Sequence, residues 1–276
     1  MEERTYFDVN GKPTLQGFGF YKLVQRFDDR SNIIEQHFFG IDGEPIMLPD
    51  GYHRASYVYD NKGGLSIQFF FAADGQPGAN QGVHKIVQKF DRRGNVTERA
   101  FFGSDGRPLL RDNEFHKQVM ELDERGNILS LGLYGVRGQP VLNHQGVHKV
   151  ISSFDTQGNE VENRYQGVKG EPVLYDNNYY RLLSKRDAIG NIIAQSYFGL
   201  SNEPILNKNG FFKELGTYDA FGNQVEATYF GVAGEPINLP QGYHKVLFQF
   251  DIYSKVISET HYDLQGQLTS GQGVAQ

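Results

Sequence analysis

Two residue types are missing from this chain of 276 residues, cysteine and tryptophan. The lack of cysteine excludes disulfides, thiolate metal sites and a cysteine nucleophile. Long apolar runs are missing as well, since none approaches the roughly 18 residues of a membrane-spanning helix. The first residues also lack the basic and then apolar layout of a signal peptide. We therefore expect no membrane insertion.

The chain also lacks a cluster of Lys and Arg residues. The formal net charge is -6, the sequence pI is near 5.8, and Lys and Arg are spread along the chain. A surface that follows nucleic-acid phosphates needs its cations clustered on one face. The charge pattern therefore predicts no nucleic-acid partner.

An internal repeat dominates what is present. The head residue of an Asp-x-x-Gly tetrad recurs in steps of 32 residues, once 31, at Asp28, Asp60, Asp91, Asp123, Asp155, Asp187, Asp219 and Asp251. A second series follows the same steps, at Pro13, Pro45, Pro77, Pro108, Pro140, Pro172, Pro204 and Pro236. Such spacing is typical of tandem repeats. We expect one repeat domain over residues 1–276, with about eight copies after a partial copy at 5–18. Because the chain opens inside a copy, we also expect it to be part of a longer protein.

Each copy contains two turn signals, which in the third copy are Asp91–Asn95 and Gly103–Pro108. They separate runs rich in Val, Ile, Phe and Tyr, a pattern that predicts β-hairpins. An Asp at the head of such a turn accepts backbone N–H groups, and a Gly at its end adopts a positive φ. In the first and last copies, Ser31 and Ser254 replace that Gly. We therefore predict that this turn is weaker in those two copies. A third reversal is predicted at Gly51, Gly210 and Gly242.

These signals predict an all-β fold of tandem 32-residue β-hairpin repeats, stacked as an open solenoid or an extended twisted sheet. A closed eight-unit ring or propeller-like toroid is the alternative. Each copy is predicted to contribute two strands of about seven residues and one shorter strand. An odd number of antiparallel strands would reverse the chain in successive copies, so the true unit would be 64 residues, twice the repeat.

Two rows of mainly aromatic residues predict the core. One row precedes the turn Asp and comprises Phe27, Tyr59, Phe90, Leu122, Phe154, Arg186, Tyr218 and Phe250. The other follows that Asp by eleven residues and comprises Phe39, Phe71, Phe102, Tyr134, Gln166, Phe198, Phe230 and Tyr262. Stacked copies are expected to bury these rings as one continuous spine, since a single copy is too small to fold alone.

The turn sequences also resemble those of known repeat families. The segments Phe90–Asn95 and Tyr218–Asn223 resemble the Tyr-Asp-x-x-Gly-Asn core of RHS/YD repeats. The opening Thr5–Pro13 is similar to the aromatic hairpins of bacterial cell-wall-binding and glucan-binding repeats, and the general plan resembles MORN-type repeats. The resemblance implies a bacterial protein of tandem β-hairpins. We expect the parent to be a surface or sensory protein, with a lean towards an extracytoplasmic location.

Two polar series are candidates for a ladder along the surface. Five copies carry a histidine at the start of the hairpin, namely His53, His84, His116, His148 and His244. Alternate copies carry a glutamate seven residues after the turn Asp, namely Glu35, Glu98, Glu162 and Glu226. The histidine position also accepts Tyr and Phe, which favours a half-buried flat ring over a metal ligand. The glutamates are predicted to be solvated strand carboxylates, with a cation-binding row as the alternative. We expect no metal and no cofactor.

The residues at the tips of the first turns change along the chain. In the N-terminal half they are polar or charged, as in Asp29 and Arg30, whereas in the C-terminal half they include Ile189, Phe221, Ile252 and Tyr253. Exposed apolar residues at a turn tip are unfavourable unless something covers them. These four residues therefore predict an interaction edge for a partner protein or another domain of the parent chain, with local folding back onto the repeat's own surface as the alternative.

No catalytic constellation interrupts the repeat, so we expect no enzyme. The sequence favours a non-catalytic module for protein interaction, scaffolding or spacing within a larger protein. The alternative is a glycan-binding or cell-wall-binding module, which would require aromatic residues left unburied on one face.

Overall fold

The computed structural model describes residues 1–79, 82–112, 114–176 and 178–273, and these ranges contain strands and turns but no helix. The strands are β1 (Glu2–Thr5), β2 (Lys22–Phe27), β3 (Ile33–Phe39), β4 (Arg54–Tyr59), β5 (Leu65–Phe71), β6 (Lys85–Phe90), β7 (Val96–Phe102), β8 (Lys117–Leu122), β9 (Ile128–Tyr134), β10 (Lys149–Phe154), β11 (Glu160–Gln166), β12 (Arg181–Arg186), β13 (Ile192–Phe198), β14 (Lys213–Tyr218), β15 (Gln224–Phe230), β16 (Lys245–Phe250), β17 (Val256–Tyr262) and β18 (Leu268–Gly273).

Contacts divide the chain into two compact units. One comprises Met1–Leu122 and Leu131–Val141, and the other comprises Asp123–Ser130 and Leu142–Gln276. Both are built from the same hairpin.

Seven hairpins share one register. Strand β2 pairs with β3 from Lys22 opposite Phe39 to Arg26 opposite Glu35, and a bulge then places Phe27 opposite Ile33. The same bulged register recurs in the hairpins β4–β5, β6–β7, β10–β11, β12–β13, β14–β15 and β16–β17. The bulge adds local twist just before the turn.

Pairing between successive copies is shorter. Strand β3 pairs with β4 over only three residues, with Glu35 opposite Ser56, Gln36 opposite Ala55 and His37 opposite Arg54. The same short pairing joins β13 to β14 and β15 to β16. Backbone hydrogen bonds therefore join the strands of one hairpin more extensively than they join neighbouring copies.

The sheet is open. Among the described strands, β1 pairs only with β2 and β18 pairs only with β17. The prediction of all-β tandem hairpin repeats in an open sheet is confirmed, and the alternative of a closed ring is not.

The prediction of an odd number of sheet strands per copy is wrong. After the second turn the chain makes only an isolated bridge, such as Phe39 to Pro45, and then reverses at the third turn, where the Gly51 N–H donates to the Leu48 carbonyl at 2.8 Å. Proline has no N–H with which to extend the ladder. Each copy therefore adds two sheet strands, and equivalent strands run in the same direction. At the position seven residues after the turn Asp, Glu alternates with other residues from copy to copy. Alternating strand directions do not explain this pattern.

Neither predicted core row is the buried one. The buried row lies ten residues after the turn Asp and includes Phe38, Phe70, Phe101, Leu133 and Tyr165, which are 0–7% exposed. The predicted row at eleven residues is only half-buried, as is the predicted row before the turn Asp. Successive residues of a strand point to opposite faces of the sheet, so a shift of one residue moves the whole row to the other face.

Rings from the segment before each hairpin complete the true core. In the first unit, Tyr6, Phe20, Phe38, Tyr52 and Phe70 contact one another in that order, with centroids 4.9–6.0 Å apart. In the second unit the order is Tyr165, Tyr179, Tyr197, Phe211, Tyr229 and Tyr243, with centroids 4.9–6.2 Å apart. We call each series the aromatic row. Most contacts are edge-to-face or tilted, the arrangement that ring quadrupoles prefer.

The first and last turns have the same conformation as the others, although serine replaces glycine there. Ser31 has φ 65° and Ser254 has φ 61°, whereas Gly94 at the equivalent position has φ 91°. A positive φ is unfavourable for a residue with a Cβ atom. The two serine turns thus adopt the glycine conformation at a local cost.

We expect Phe101→Ala to lower the free energy of unfolding by about 3 to 5 kcal/mol, because it empties a fully buried site in the core. Phe102→Ala, one residue away on the other face, should cost only about 1 to 2 kcal/mol, since its ring is half-buried. Urea denaturation of the two variants measures the difference. Equal losses would contradict the assignment of the core to the row at ten residues.

We expect Ser31→Gly to raise the free energy of unfolding by about 1 kcal/mol, because glycine adopts the positive φ without strain. Gly94→Ser should lower it by a similar amount. A Cβ at Gly94 meets no heavy atom within 4 Å, so the backbone conformation alone is tested. Thermal and urea unfolding would show this pair of opposite shifts, and shifts of the same sign would contradict the prediction.

Candidate functional site

Hydrogen bonds hold each first turn in one conformation. In the seventh copy the Asp219 carboxylate accepts the backbone N–H groups of Phe221 and Asn223, both at 2.9 Å, and the Asn223 side-chain amide at 2.9 Å. Gly222 closes the turn with φ 85°. The hydrogen bond from the Asn223 side chain, followed by those from the backbone, lowers the pKa of the Asp219 carboxyl. The tip residue is thus presented on a rigid loop.

The structure places all four apolar residues of the predicted interaction edge at such tips, on the hairpins β12–β13, β14–β15 and β16–β17. Their exposed fractions are 75% for Ile189, 87% for Phe221, 90% for Ile252 and 84% for Tyr253. We call these four residues the C-terminal tips. None of them folds back onto its own hairpin, so the apolar surface faces outwards.

Two of the C-terminal tips line one groove. It lies between the turns of the seventh and eighth copies and has a volume of about 580 Å³. Phe221 and Ile252 line it together with Val225, Phe248 and Phe250, while Asp219 and Asp251 supply carboxylates. We call this space the tip groove. Ile189 and Tyr253 are not among its lining residues.

An equivalent groove lies between the first two turns, with a volume of about 490 Å³. Arg30 lines it, and the Nη1 atom of Arg30 donates a hydrogen bond to the Asn61 carbonyl at 3.1 Å. Arg125 makes the same contact to the Thr156 carbonyl. The two grooves lie at equivalent places between successive turns, but an arginine lines the first and no Lys or Arg lines the tip groove.

The five histidines lie where the chain enters each hairpin. His53, His116 and His148 are buried, and His84 and His244 are half-buried. The Nδ1 atoms lie 2.6 Å from the Phe70 carbonyl in His84 and 2.7 Å from the Phe101 carbonyl in His116. Burial lowers the pKa of His53. These rings pack beside the aromatic residue at eleven after the turn Asp, as His53 does beside Phe39 at 5.3 Å between centroids.

Three of the four glutamates are ion-paired. Glu162, 10% exposed, accepts hydrogen bonds from Arg164 at 2.8 Å and from Arg181. Glu35 contacts Arg54 at 2.7 Å, Arg26 at 3.1 Å and His37 at 3.3 Å, and Glu98 contacts Lys89 at 3.0 Å and Lys117 at 3.5 Å. Glu226 is half-buried and lies opposite Thr217 and Leu247 in the register. Arginine and lysine side chains are thus already paired with Glu35, Glu98 and Glu162, three of the four carboxylates that a cation-binding row would need.

The ion pairs outweigh the cost of burial. Burial raises the pKa of the Glu162 carboxyl, but hydrogen bonds and charge from Arg164 and Arg181 together lower the pKa below its usual value. The same balance lowers the pKa of Glu35 and Glu98. Among the described residues, no group of three or more His, Asp or Glu side chains is placed to hold a metal ion.

Sequence reasoning missed a series of cations on the face that carries these glutamates. Every copy opens its first strand with Lys or Arg, at Lys22, Arg54, Lys85, Lys117, Lys149, Arg181, Lys213 and Lys245. Six of these cations lie 3.8–5.5 Å from the centre of the ring eleven residues after the turn Asp. The recurrence of these basic residues in steps of 32, once 31, was the available signal. Cation–π contacts of this kind anchor the half-buried rings.

Comparison with known proteins assigns no family. No protein-family model matches the sequence, and no curated protein matches it. Among solved structures, the crystal structure of TcdB2-TccC3-TEV is similar at 13% identity and a TM-score of 0.39, over 98% of this chain and 15% of that one. The Tc holotoxin pore of Photorhabdus luminescens matches at 11% identity and a TM-score of 0.32, over 92% of this chain and 14% of that one. A porin-like protein from Bacteroides uniformis matches at 11% identity and a TM-score of 0.17, over 79% and 87%.

This chain therefore spans about 15% of the length of the toxin chains that it matches. At these TM-scores the likeness assigns neither family nor function. Within the described ranges there is also no helix of the length and apolar character that crossing a bilayer requires.

We expect Glu162→Gln to lower the free energy of unfolding at pH 7. The difference from the wild type should shrink as the pH falls. The pKa of Glu162 is lowered in the folded state, so its contribution to stability is present above the unfolded pKa of about 4.3 and is lost as the pH falls through the folded pKa. Urea unfolding of wild type and variant from pH 7 to pH 3 measures this. A difference in unfolding free energy that stays constant below pH 4.3 would contradict the ion-pair assignment.

Proposed function

We propose that this chain is a non-catalytic repeat scaffold within a larger protein, and that it binds a partner protein or another domain of its parent through the C-terminal tips. The observation that carries the proposal is the exposure of Ile189, Phe221, Ile252 and Tyr253, each at least 75% exposed on a turn held by hydrogen bonds. Large apolar side chains held out in water are typical of a surface that another protein covers.

The contrast within the chain supports this proposal. The same turn positions in the first four copies hold Asp29-Arg30, Asn61-Lys62, Arg92-Arg93 and Glu124-Arg125. The turn conformation is equal in both halves, so the fold does not require apolar tips. A partner is the remaining physical reason for placing Phe or Ile there. Because the turns are already rigid, binding would order few side chains, which lowers its entropic cost.

The scaffold role rests on the open repeat. The turn aspartates, the histidines at the start of the hairpins and the paired glutamates all form hydrogen bonds or ion pairs within the repeat. The turn sequence Tyr218–Asn223 supports an RHS/YD-like repeat in a bacterial surface or sensory protein. No step of this proposal requires a cofactor.

A glycan is the second candidate ligand. Phe221 and Tyr253 are aromatic rings that are 87% and 84% exposed. Unburied rings of this kind stack against the apolar face of a sugar. A glycan-binding role would depend on these two rings and would be indifferent to Ile189 and Ile252.

We expect the combined variant Ile189→Ser, Phe221→Ser, Ile252→Ser and Tyr253→Ser to lose partner binding while it unfolds at nearly the wild-type temperature, since exposed positions contribute little to stability. The readout is the set of proteins retained from bacterial extract on the immobilised chain, together with a glycan array. The matched control replaces Asp29, Arg30, Asn61 and Lys62 with Ser at the N-terminal tips.

The proposal predicts a protein that wild type and control retain and that the C-terminal variant does not. Retention by all three chains alike would contradict it. A glycan signal that is lost with Phe221→Ser and Tyr253→Ser alone would favour the second candidate instead.

A further inference from the structure

Side chains bridge successive copies beside their first turns at five places. Arg30 of the first copy donates to the carbonyl of Asn61, the first tip residue of the second copy, at 3.1 Å. Arg125 of the fourth copy donates in the same way to the carbonyl of Thr156. In both cases an arginine two residues after the turn Asp reaches forward to the next tip. The guanidinium thus supplies an N–H donor to an outward-facing carbonyl.

A second bridge runs backwards, from the residue just before the turn Asp. The Tyr59 hydroxyl donates to the Ile33 carbonyl at 2.8 Å, and the Tyr218 hydroxyl donates to the Ile192 carbonyl at 2.8 Å. Arg186 reaches the equivalent carbonyl of Glu160 at 3.2 Å through Nε. Each of these bridges joins a strand end to the preceding copy, beside the groove between the two turns.

The tip groove lacks a side-chain donor at both of these positions. Phe221 occupies the position of Arg30, and Phe250 occupies the position of Tyr59. The pairs of residues at these two positions, for successive copies, are Arg30 with Tyr59, Lys62 with Phe90, Arg93 with Leu122, Arg125 with Phe154, Gln157 with Arg186, Ile189 with Tyr218, and Phe221 with Phe250. Only the last pair carries no side-chain hydrogen-bond donor at all. The carbonyls of Ile252 and Gln224, which correspond to those of Asn61 and Ile33, therefore receive no donor from these two positions.

The lining of the tip groove defines what fits it. Phe221, Phe248 and Phe250 supply rings, and Asp219 and Asp251 supply negative charge, whereas no Lys or Arg lines the groove. A complementary group is cationic, donates several N–H groups and has a flat face that stacks on rings. The guanidinium of arginine combines these properties, and the ammonium of lysine lacks the flat face.

We propose that the tip groove binds an arginine side chain of the partner, flanked by apolar residues, in the place that Arg30 fills in the first groove. This inference rests on the proposed function and names the chemistry of the partner: an extended protein segment with an arginine between apolar side chains. The guanidinium donates to the Ile252 carbonyl and stacks against the phenylalanine rings, while the flanking residues cover Phe221 and Ile252. The net charge of -6 favours a basic partner over an acidic one.

The test uses the peptide fluorescein-Ser-Leu-Arg-Phe-Ser-amide and its analogue with citrulline in place of arginine. Citrulline keeps the shape and removes the charge. We expect fluorescence anisotropy on the whole chain to show at least roughly tenfold tighter binding of the arginine peptide, as expected for a hydrogen bond from a charged donor. Equal binding of the two peptides, or no binding of either, overturns the inference.

Variants of the chain locate the site. Phe221→Arg supplies the missing donor from the chain itself and should weaken binding of the arginine peptide at least roughly tenfold. Phe221→Leu keeps an apolar wall without a donor and, although it removes one ring, should weaken binding less than Phe221→Arg does. If Phe221→Arg binds the peptide as well as Phe221→Leu does, the site is not the tip groove and the inference fails.

A gain of binding provides the converse test. The double variant Arg30→Phe with Tyr59→Phe removes both bridges from the first groove, where Asp28 and Asp60 supply the carboxylates. We expect it to bind two arginine peptides per chain, and a stoichiometry that remains at one counts against the inference. If the C-terminal serine variant loses its partner but no arginine peptide binds, only the present inference fails. If the peptide binds and partner retention is unaffected by the serine variant, the proposed function fails while the arginine site stands.

Discussion

A single two-stranded hairpin cannot bury enough apolar surface to be stable in water, and the contacts of the aromatic row are the interaction that removes this limit. Neighbouring copies share only three paired residues of backbone, as between β3 and β4, so hydrogen bonds alone would hold them weakly. The ring of one copy instead packs between the rings before and after it, as Phe38 does between Phe20 and Tyr52. The stability of each copy therefore depends on its neighbours, as in other repeat proteins.

This arrangement separates the two ends of every hairpin. The aromatic row lies where β2 begins and β3 ends, near Leu23 and Phe38, whereas the turn from Asp28 to Ser31 lies at the opposite end of the same strands. The turn is closed by its own hydrogen bonds and takes no part in the core. Tip residues can therefore change without loss of the fold, and the chain places arginine at some tips and apolar residues at others.

The face opposite the aromatic row has its own chemistry. There the half-buried rings of six copies lie under a lysine or arginine, and several also pack beside a histidine, as Phe71 packs beside His84 and under Arg54. The paired glutamates lie on the same face, where Glu35 also contacts Arg54. The polar groups of this face are thus engaged with one another, whereas the first-turn tips of the last three copies hold Ile189, Phe221, Ile252 and Tyr253 out in water.

The repeat, its turns and the apolar character of the C-terminal tips could all be predicted from the sequence. Those features follow from local rules: the Asp at the head of a turn, the Gly at a positive φ, and the step of 32 residues are properties of neighbouring residues. The sequence did not determine which of two adjacent aromatic rows is the core, because Phe38 and Phe39 differ only in the face to which the strand points them. Nor did it determine the number of sheet strands per copy, since the segment at Pro45 could begin a strand or end in a single bridge. Only tertiary structure decided these points, and it alone showed that Arg30 bridges two turns while Phe221 cannot, because a contact between residues 31 positions apart depends on how the copies stack.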